Sequence, residues 1–173
     1  MDKDKRLKLL AIAIADNPRR TTKELAEAIG ISKATFHRCY GTRENLMNML
    51  IEKSNEYLEN IIKVSEAQYD DFKEGVRALI NAYYDNKEYL FFICGTQICD
   101  KDSECTTYYK AIDSFFLRGQ KEGFFKIDIS IHALTEIFIS NIFSMIDAER
   151  RGRIATNNIL DVIENMFLYG AIN

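Results

Sequence analysis

The sequence predicts an all-α fold of about nine helices, from three observations. Apolar residues recur at intervals of three and four along most of the chain. One proline and eight glycines in 173 residues leave too few turns for a sandwich or barrel. Hydrophobic residues at 47% and charged residues at 28% suit a packed globule and argue against disorder. No apolar run approaches the roughly 18 residues of a membrane span.

The elements follow in order. Leu7, Leu9, Leu10, Ile12 and Ile14 mark a first helix over residues 3–15. Its end is set by Asn17-Pro18, because the residue before proline is pushed out of the α region. The basic residues ahead of Leu9 loosely mimic a secretion signal. The apolar run is short, however, Asp2 and Asp4 interrupt the charge, and no small-residue cleavage site follows. An amphipathic helix and a cytoplasmic chain are therefore expected, with Cys39, Cys94, Cys99 and Cys105 as thiols.

Thr21-Thr22 offers an N-cap to a short helix carrying Leu25, Ala26 and Ile29, which Gly30 stops. Ser32 caps the next, from Lys33 to about Cys39, and Gly41-Thr42 breaks it. Thr42 opens a long helix to about Ala67. Phe72 to Tyr83 continue the helical period, and Leu90 to Ile98 is nearly continuous apolar, as in a helix buried most of the way round. A helix through Tyr108 to Leu117 ends at Gly123, a fitting C-terminal cap. The last two helices span about 129–150 and 155–169.

Charge is unevenly spread. Residues 1–46 hold ten Lys and Arg against six Asp and Glu, a net of +4. Residues 47–173 hold thirteen against twenty, a net of −7. Eighteen of the twenty Phe and Tyr lie in that second part. A basic head that can approach a polyanion thus precedes an acidic, aromatic-rich body.

Thr22 to Tyr40, TKELAEAIGISKATFHRCY, carries the most information. Two short helices that cross steeply need a small side chain at the contact, and Ala26 supplies it. The tight link needs a residue that tolerates positive φ, and Gly30 follows four residues later. Leu25, Ile29, Ile31, Phe36 and Cys39 fall on the inner faces. Lys33, Ala34, Thr35, His37 and Arg38 remain outside, small or hydrogen-bonding residues suited to a major groove. An ordinary helical hairpin could carry the alanine and the glycine, but it has no need of the cap or the basic outer face.

TTKELAEAIGISKATFHRCYGTRENL resembles the DNA-binding domain of the TetR/AcrR family of bacterial transcriptional regulators. The resemblance is specific over about residues 7–50 and architectural beyond. The chain departs from the pattern at Cys39-Tyr40, at His37, where tyrosine is common, and at Asn17-Pro18-Arg19-Arg20. The resemblance implies a helix-turn-helix DNA-binding domain at 1–46 and a helical effector-binding and dimerisation domain at 47–173. It implies phosphate contacts from Thr22, His37 and Arg43. Lys33, Thr35 and Arg38, with Ala34 beside them, are the candidates near base edges. His37 is read as a neutral donor to phosphate rather than a metal ligand. Arg19 and Arg20 are either further phosphate contacts or solvated loop charges.

Two-fold dimers double the contacts of one recognition helix. Leu134, Phe138, Ile142, Met145, Ile159, Ile163, Met166 and Phe167 lead an apolar set too large for one helix pair to bury. The resemblance likewise implies a four-helix bundle between two subunits. Tyr83, Tyr84, Phe91, Phe92, Tyr108, Tyr109 and Phe115 are a dense aromatic set, either core or the wall of a pocket for a small apolar or aromatic effector.

The expected partners are double-stranded DNA, a second copy and an unidentified small-molecule effector, with no membrane. Cys94, Cys99 and Cys105 lack zinc spacing, so no metal or other cofactor is expected. No catalytic motif is present, and no enzyme is expected. The alternatives are an effector-independent DNA-binding or protein-interaction module, a thiol redox sensor, and a small helical enzyme using Glu104, Cys105 and Tyr108.

Overall fold

A computed structural model describes residues 2–96 and 103–172. Among these residues there are nine helices: α1 (Lys3–Asp16), α2 (Thr22–Ala28), α3 (Lys33–Tyr40), α4 (Arg43–Glu66), α5 (Phe72–Asp85), α6 (Lys87–Thr96), α7 (Ser103–Lys121), α8 (Ile131–Arg150) and α9 (Ile159–Ala171). The all-α expectation holds. One isolated antiparallel bridge, Phe125 to Ile172, is the β-type pairing among them.

Two compact units divide the chain. One takes Met1–Leu58 and Asn86–Glu104, the other Glu59–Asp85 and Cys105–Asn173. The sequence suggested a functional division after residue 46. Packing divides the chain differently, because α6 joins the first unit.

In the first unit α6 lies against α1, and Gly95 explains how. A Cβ there would stand 2.8 Å from the Ala15 Cα, so only glycine lets the two helices come this close. Leu10, Ala11 and Ile14 of α1 and Leu46 and Leu50 of α4 are fully buried in this unit. Phe91 and Phe92, on α6, are buried here too.

The second unit is held by edge-on phenylalanines. Phe116 stacks against Phe125 at 5.1 Å and Phe138 at 5.5 Å between centroids, and Phe138 lies 4.9 Å from Phe167. Such T-shaped pairs add about 0.5–1.5 kcal/mol each beyond their burial. Gly119 makes room for this cluster, since a Cβ there would come within 2.3 Å of the Phe125 ring. Glu164, nearly buried on α9, accepts from Arg77 of α5 at 2.7 Å.

The ends of α9 differ from expectation. The helix begins at Ile159, after Asn158 in the left-handed region at φ 68°. The polar run Thr156-Asn157-Asn158 supplies the turn that the apolar period alone did not mark.

Candidate DNA-binding site

The site begins with two caps. Thr21, not Thr22, is the N-cap of α2. Its side chain accepts from the Glu24 N–H at 3.3 Å, and Glu24 reaches back to the Thr21 N–H at 2.6 Å. This reciprocal box satisfies two of the helix's free donors. The Thr21 backbone N–H, and then its hydroxyl, hold the Glu24 carboxyl below its usual range. Thr22 is the first helical residue and is half-buried.

Between the helices, Gly30 sits at φ 69°, where an L side chain is strained. Ala26 is 1% exposed at the crossing. Ser32 caps α3 by accepting from the Thr35 N–H at 3.1 Å, and it donates its own hydroxyl to Thr35 Oγ1 at 3.0 Å. Leu25, Phe36 and Tyr40 fill the inner side, fully or almost fully buried. Ile31 and Cys39, expected there as well, are half-buried.

With Phe36 and Tyr40 turned inward, the opposite face of α3 is set by helical geometry. Lys33, Ala34, His37 and Arg38 are exposed on it, and Thr35 is half-buried beside them. Cations, a small residue and a hydroxyl thus share one face of an eight-residue helix.

Two expected phosphate contacts have other partners. Arg43 donates from one terminal nitrogen to the Arg20 carbonyl and from the other to the Pro18 carbonyl. Its planar fork is committed to fastening the α1–α2 link to the start of α4. The His37 Nδ1 lies 3.0 Å from the Gly41 carbonyl oxygen. A carbonyl only accepts, so Nδ1 carries the proton, and the neutral ring then has no N–H left for a phosphate. Arg19 is exposed and Arg20 half-buried.

The aromatic set assigned to an effector is divided between the two units. Phe91 and Phe92 belong to the first unit, the others to the second. Tyr83, Tyr108 and Phe115 are buried, and the Tyr83 and Tyr108 hydroxyls bond to each other. Tyr84 donates to Glu149 at 2.7 Å, and Tyr109 is exposed. Within the second unit a cavity of about 640 Å³ opens elsewhere, between α7 and the start of α8. Leu117, Ile127 and Ile131 give it an apolar side, and Lys110, Asp113 and His132 a polar one. Asp113 accepts from Thr135 at 2.6 Å and lies 3.0 Å from His132 Nδ1.

The proposed dimer residues divide as well. Leu134, Phe138, Ile142, Ile159, Ile163 and Phe167 are at most 3% exposed within one protomer, so they have no surface left to give a partner. Met145 is half-buried, and Met166 is 69% exposed. Ile137, Val162 and Tyr169 are the other exposed large apolar residues of α8 and α9. Val162, Met166 and Tyr169 stand four and three apart, so their common stripe was visible in the sequence. Which of the two apolar stripes faces inward was not.

Cys39 and Cys94 are free thiols. Cys99 and the Cys105 and Glu104 side chains lie outside the described residues. Among the described residues no group of His, Cys, Asp and Glu could hold a metal, and no helix is long and apolar enough to cross a membrane.

Residues 2–41 match the winged helix-turn-helix DNA-binding family. That stretch holds α1, α2 and α3 and no strand. The chain is 44% identical over 177 residues to the HTH-type transcriptional regulator NfxB of Pseudomonas aeruginosa, covering 98% of this chain and 95% of that protein. It is similar in fold to the ketosteroid transcriptional regulator KstR2 of Mycobacterium tuberculosis, with a TM-score of 0.76, 13% identity, and 98% and 94% of the two chains covered. It is also similar to the TetR-like transcriptional regulator LfrR from Mycobacterium smegmatis in complex with proflavine, with a TM-score of 0.64, 18% identity, and 98% and 96% covered.

Proposed function

The chain belongs to the TetR/AcrR family of helix-turn-helix transcriptional regulators, and from that premise we propose that it grips a palindromic operator as a homodimer, represses there, and releases the DNA when a small effector binds. The observation that carries the DNA-binding reading is the polarity of α3. Phe36 and Tyr40 are sealed inside, while Lys33, Ala34, His37 and Arg38 face solvent together. Lys33, Thr35 and Arg38 read base edges, and Thr22 and His37 hold phosphates. Arg43 acts first by fixing the link that carries Arg19 and Arg20.

A second copy covers the stripe Ile137, Val162, Met166 and Tyr169. A dimer spaces two recognition helices for two half-sites about one helical turn apart. The effector occupies the second unit. The cavity bounded by Leu117, Ile127 and Lys110 supports a ligand with an apolar body and one polar end. Such a ligand acts only through its difference in affinity for two dimer shapes. Moving the equilibrium from 1:99 to 99:1 takes about 5.5 kcal/mol of that difference. The long α4 is continuous from Arg43 to Glu66, which makes it the natural lever.

The test is DNA binding as a function of salt, on operators selected from random pools. Removing one phosphate-binding side chain should reduce the slope of log affinity against log salt by about one. Parent protein that selects no sequence and shows no salt dependence would refute the reading.

A further inference from the structure

His37 occupies an unusual chemical position on α3. It is exposed on the face that carries Lys33 and Arg38, yet one of its two nitrogens is already committed. Nδ1 lies 3.0 Å from the carbonyl oxygen of Gly41, the residue that ends the helix. That oxygen cannot donate, so the hydrogen of this bond belongs to the imidazole. In the neutral ring Nε2 is then a lone pair. A phosphate oxygen also offers only lone pairs, and the two repel. Only the imidazolium, with a hydrogen on each nitrogen, satisfies Gly41 and a phosphate together.

Charged side chains stand on α2, on α3 and at the start of α4. On its own helix stand Lys33, one turn earlier, and Arg38. From α2 come Lys23, Glu24 and Glu27. Glu24 is held by Thr21, and Glu27 lies 4.0 Å from Lys23. From the start of α4 come Arg43, tied to Pro18 and Arg20, and Glu44. Among the described residues no carboxylate forms an ion pair with His37. The anion that rewards protonation arrives with the DNA.

Resting on the operator-binding reading above, we infer that the chain takes up one proton at His37 of each copy when it binds duplex DNA, so that His37 holds a backbone phosphate as an imidazolium. Binding and protonation are then linked. Affinity rises as pH falls through the range in which histidine titrates, by at most tenfold per pH unit per copy. Because the contact is to phosphate, the effect is the same on any sequence.

The experiment measures dissociation constants for the selected operator and for a mixed-sequence duplex of equal length at fixed salt from pH 8.0 to 6.0. Parent, His37→Gln and His37→Tyr are compared; both replacements are uncharged throughout. Parent affinity should rise about fivefold or more between pH 7.5 and 6.0 on both duplexes, and the variants should be flat. His132 is the other histidine of the chain, and an equal slope in parent and His37→Gln would assign the effect to it and overturn the inference. So would a flat parent. Imidazole nitrogen NMR of the parent provides a readout independent of any variant. In the complex at pH 7 both His37 nitrogens should be protonated, and a neutral ring there would overturn the inference. Absence of DNA binding at every pH would instead sink the operator reading itself.

Discussion

The guanidinium of Arg43 donates to the main-chain carbonyl of Arg20, twenty-three residues earlier, and to that of Pro18. The first residue of α4 thereby fixes the loop between α1 and α2. A lysine would keep the charge but lose the fork.

Arg43→Lys should therefore destabilise the chain, and Arg43→Ala more so. A charge-assisted hydrogen bond contributes about 1.5–3 kcal/mol, and two are at stake, the one to Arg20 part-buried and the one to Pro18 exposed. Urea unfolding gives the loss. If Arg43→Lys matched the parent in stability and weakened only DNA binding, the clamp would be the wrong description.

On the outer face of α3, Lys33→Ala and Arg38→Ala should leave the unfolding midpoint within about 0.5 kcal/mol, because both side chains are exposed. Each truncation should instead cost about 1–3 kcal/mol of operator affinity and relax preference at one base position. Thr35→Ala should shift sequence preference too, with a small decrease in stability, since Thr35 accepts from Ser32 at 3.0 Å. Binding arrays across operator variants separate these outcomes.

Met166→Glu and Phe167→Ala should behave oppositely, although the residues adjoin. Met166 is 69% exposed, and a charge there should shift dimer to monomer in sedimentation with the fold intact. Phe167, in the ring cluster with Phe138, should cost about 3–5 kcal/mol of stability when cut to alanine.

Gly119→Ala should destabilise the second unit by about 1–3 kcal/mol, because its methyl meets the Phe125 ring at 2.3 Å. Calorimetry would show a lowered transition. An unchanged one would mean that the ring yields freely.

The α2 capping box should be acid-sensitive. Glu24 is held below its ordinary value of 4.5 in the folded chain, chiefly by the Thr21 N–H. A carboxyl with a depressed folded value stabilises above its unfolded value and ceases to as pH falls through the folded one. Parent should thus exceed Glu24→Gln in stability at pH 6, and the difference should shrink by pH 3. Urea midpoints at both pH values decide it.

Much of the recognition unit was legible because its constraints are local. Gly30 and Ser32 each answer a demand made by residues within one turn, and Ala26 one made by the very next helix. The committed partners of Arg43 and His37 were not legible, because both are main-chain carbonyls, which every residue offers alike. The facing of α8 and α9 was hidden for another reason. Both helices carry two apolar stripes, and only the ring cluster around Phe138 and Phe167 decides which one turns inward. The close approach of α6 to α1 needs the missing methyl at Gly95, whose neighbour Ala15 lies eighty positions away.

That missing methyl limits how the chain can be taken apart. An excised N-terminal piece ending at Leu58 would leave the α6-facing side of α1, around Ala15, open to water. Anyone grafting this reading head onto another body must carry residues 86–96 along with it, since the head is discontinuous along the gene.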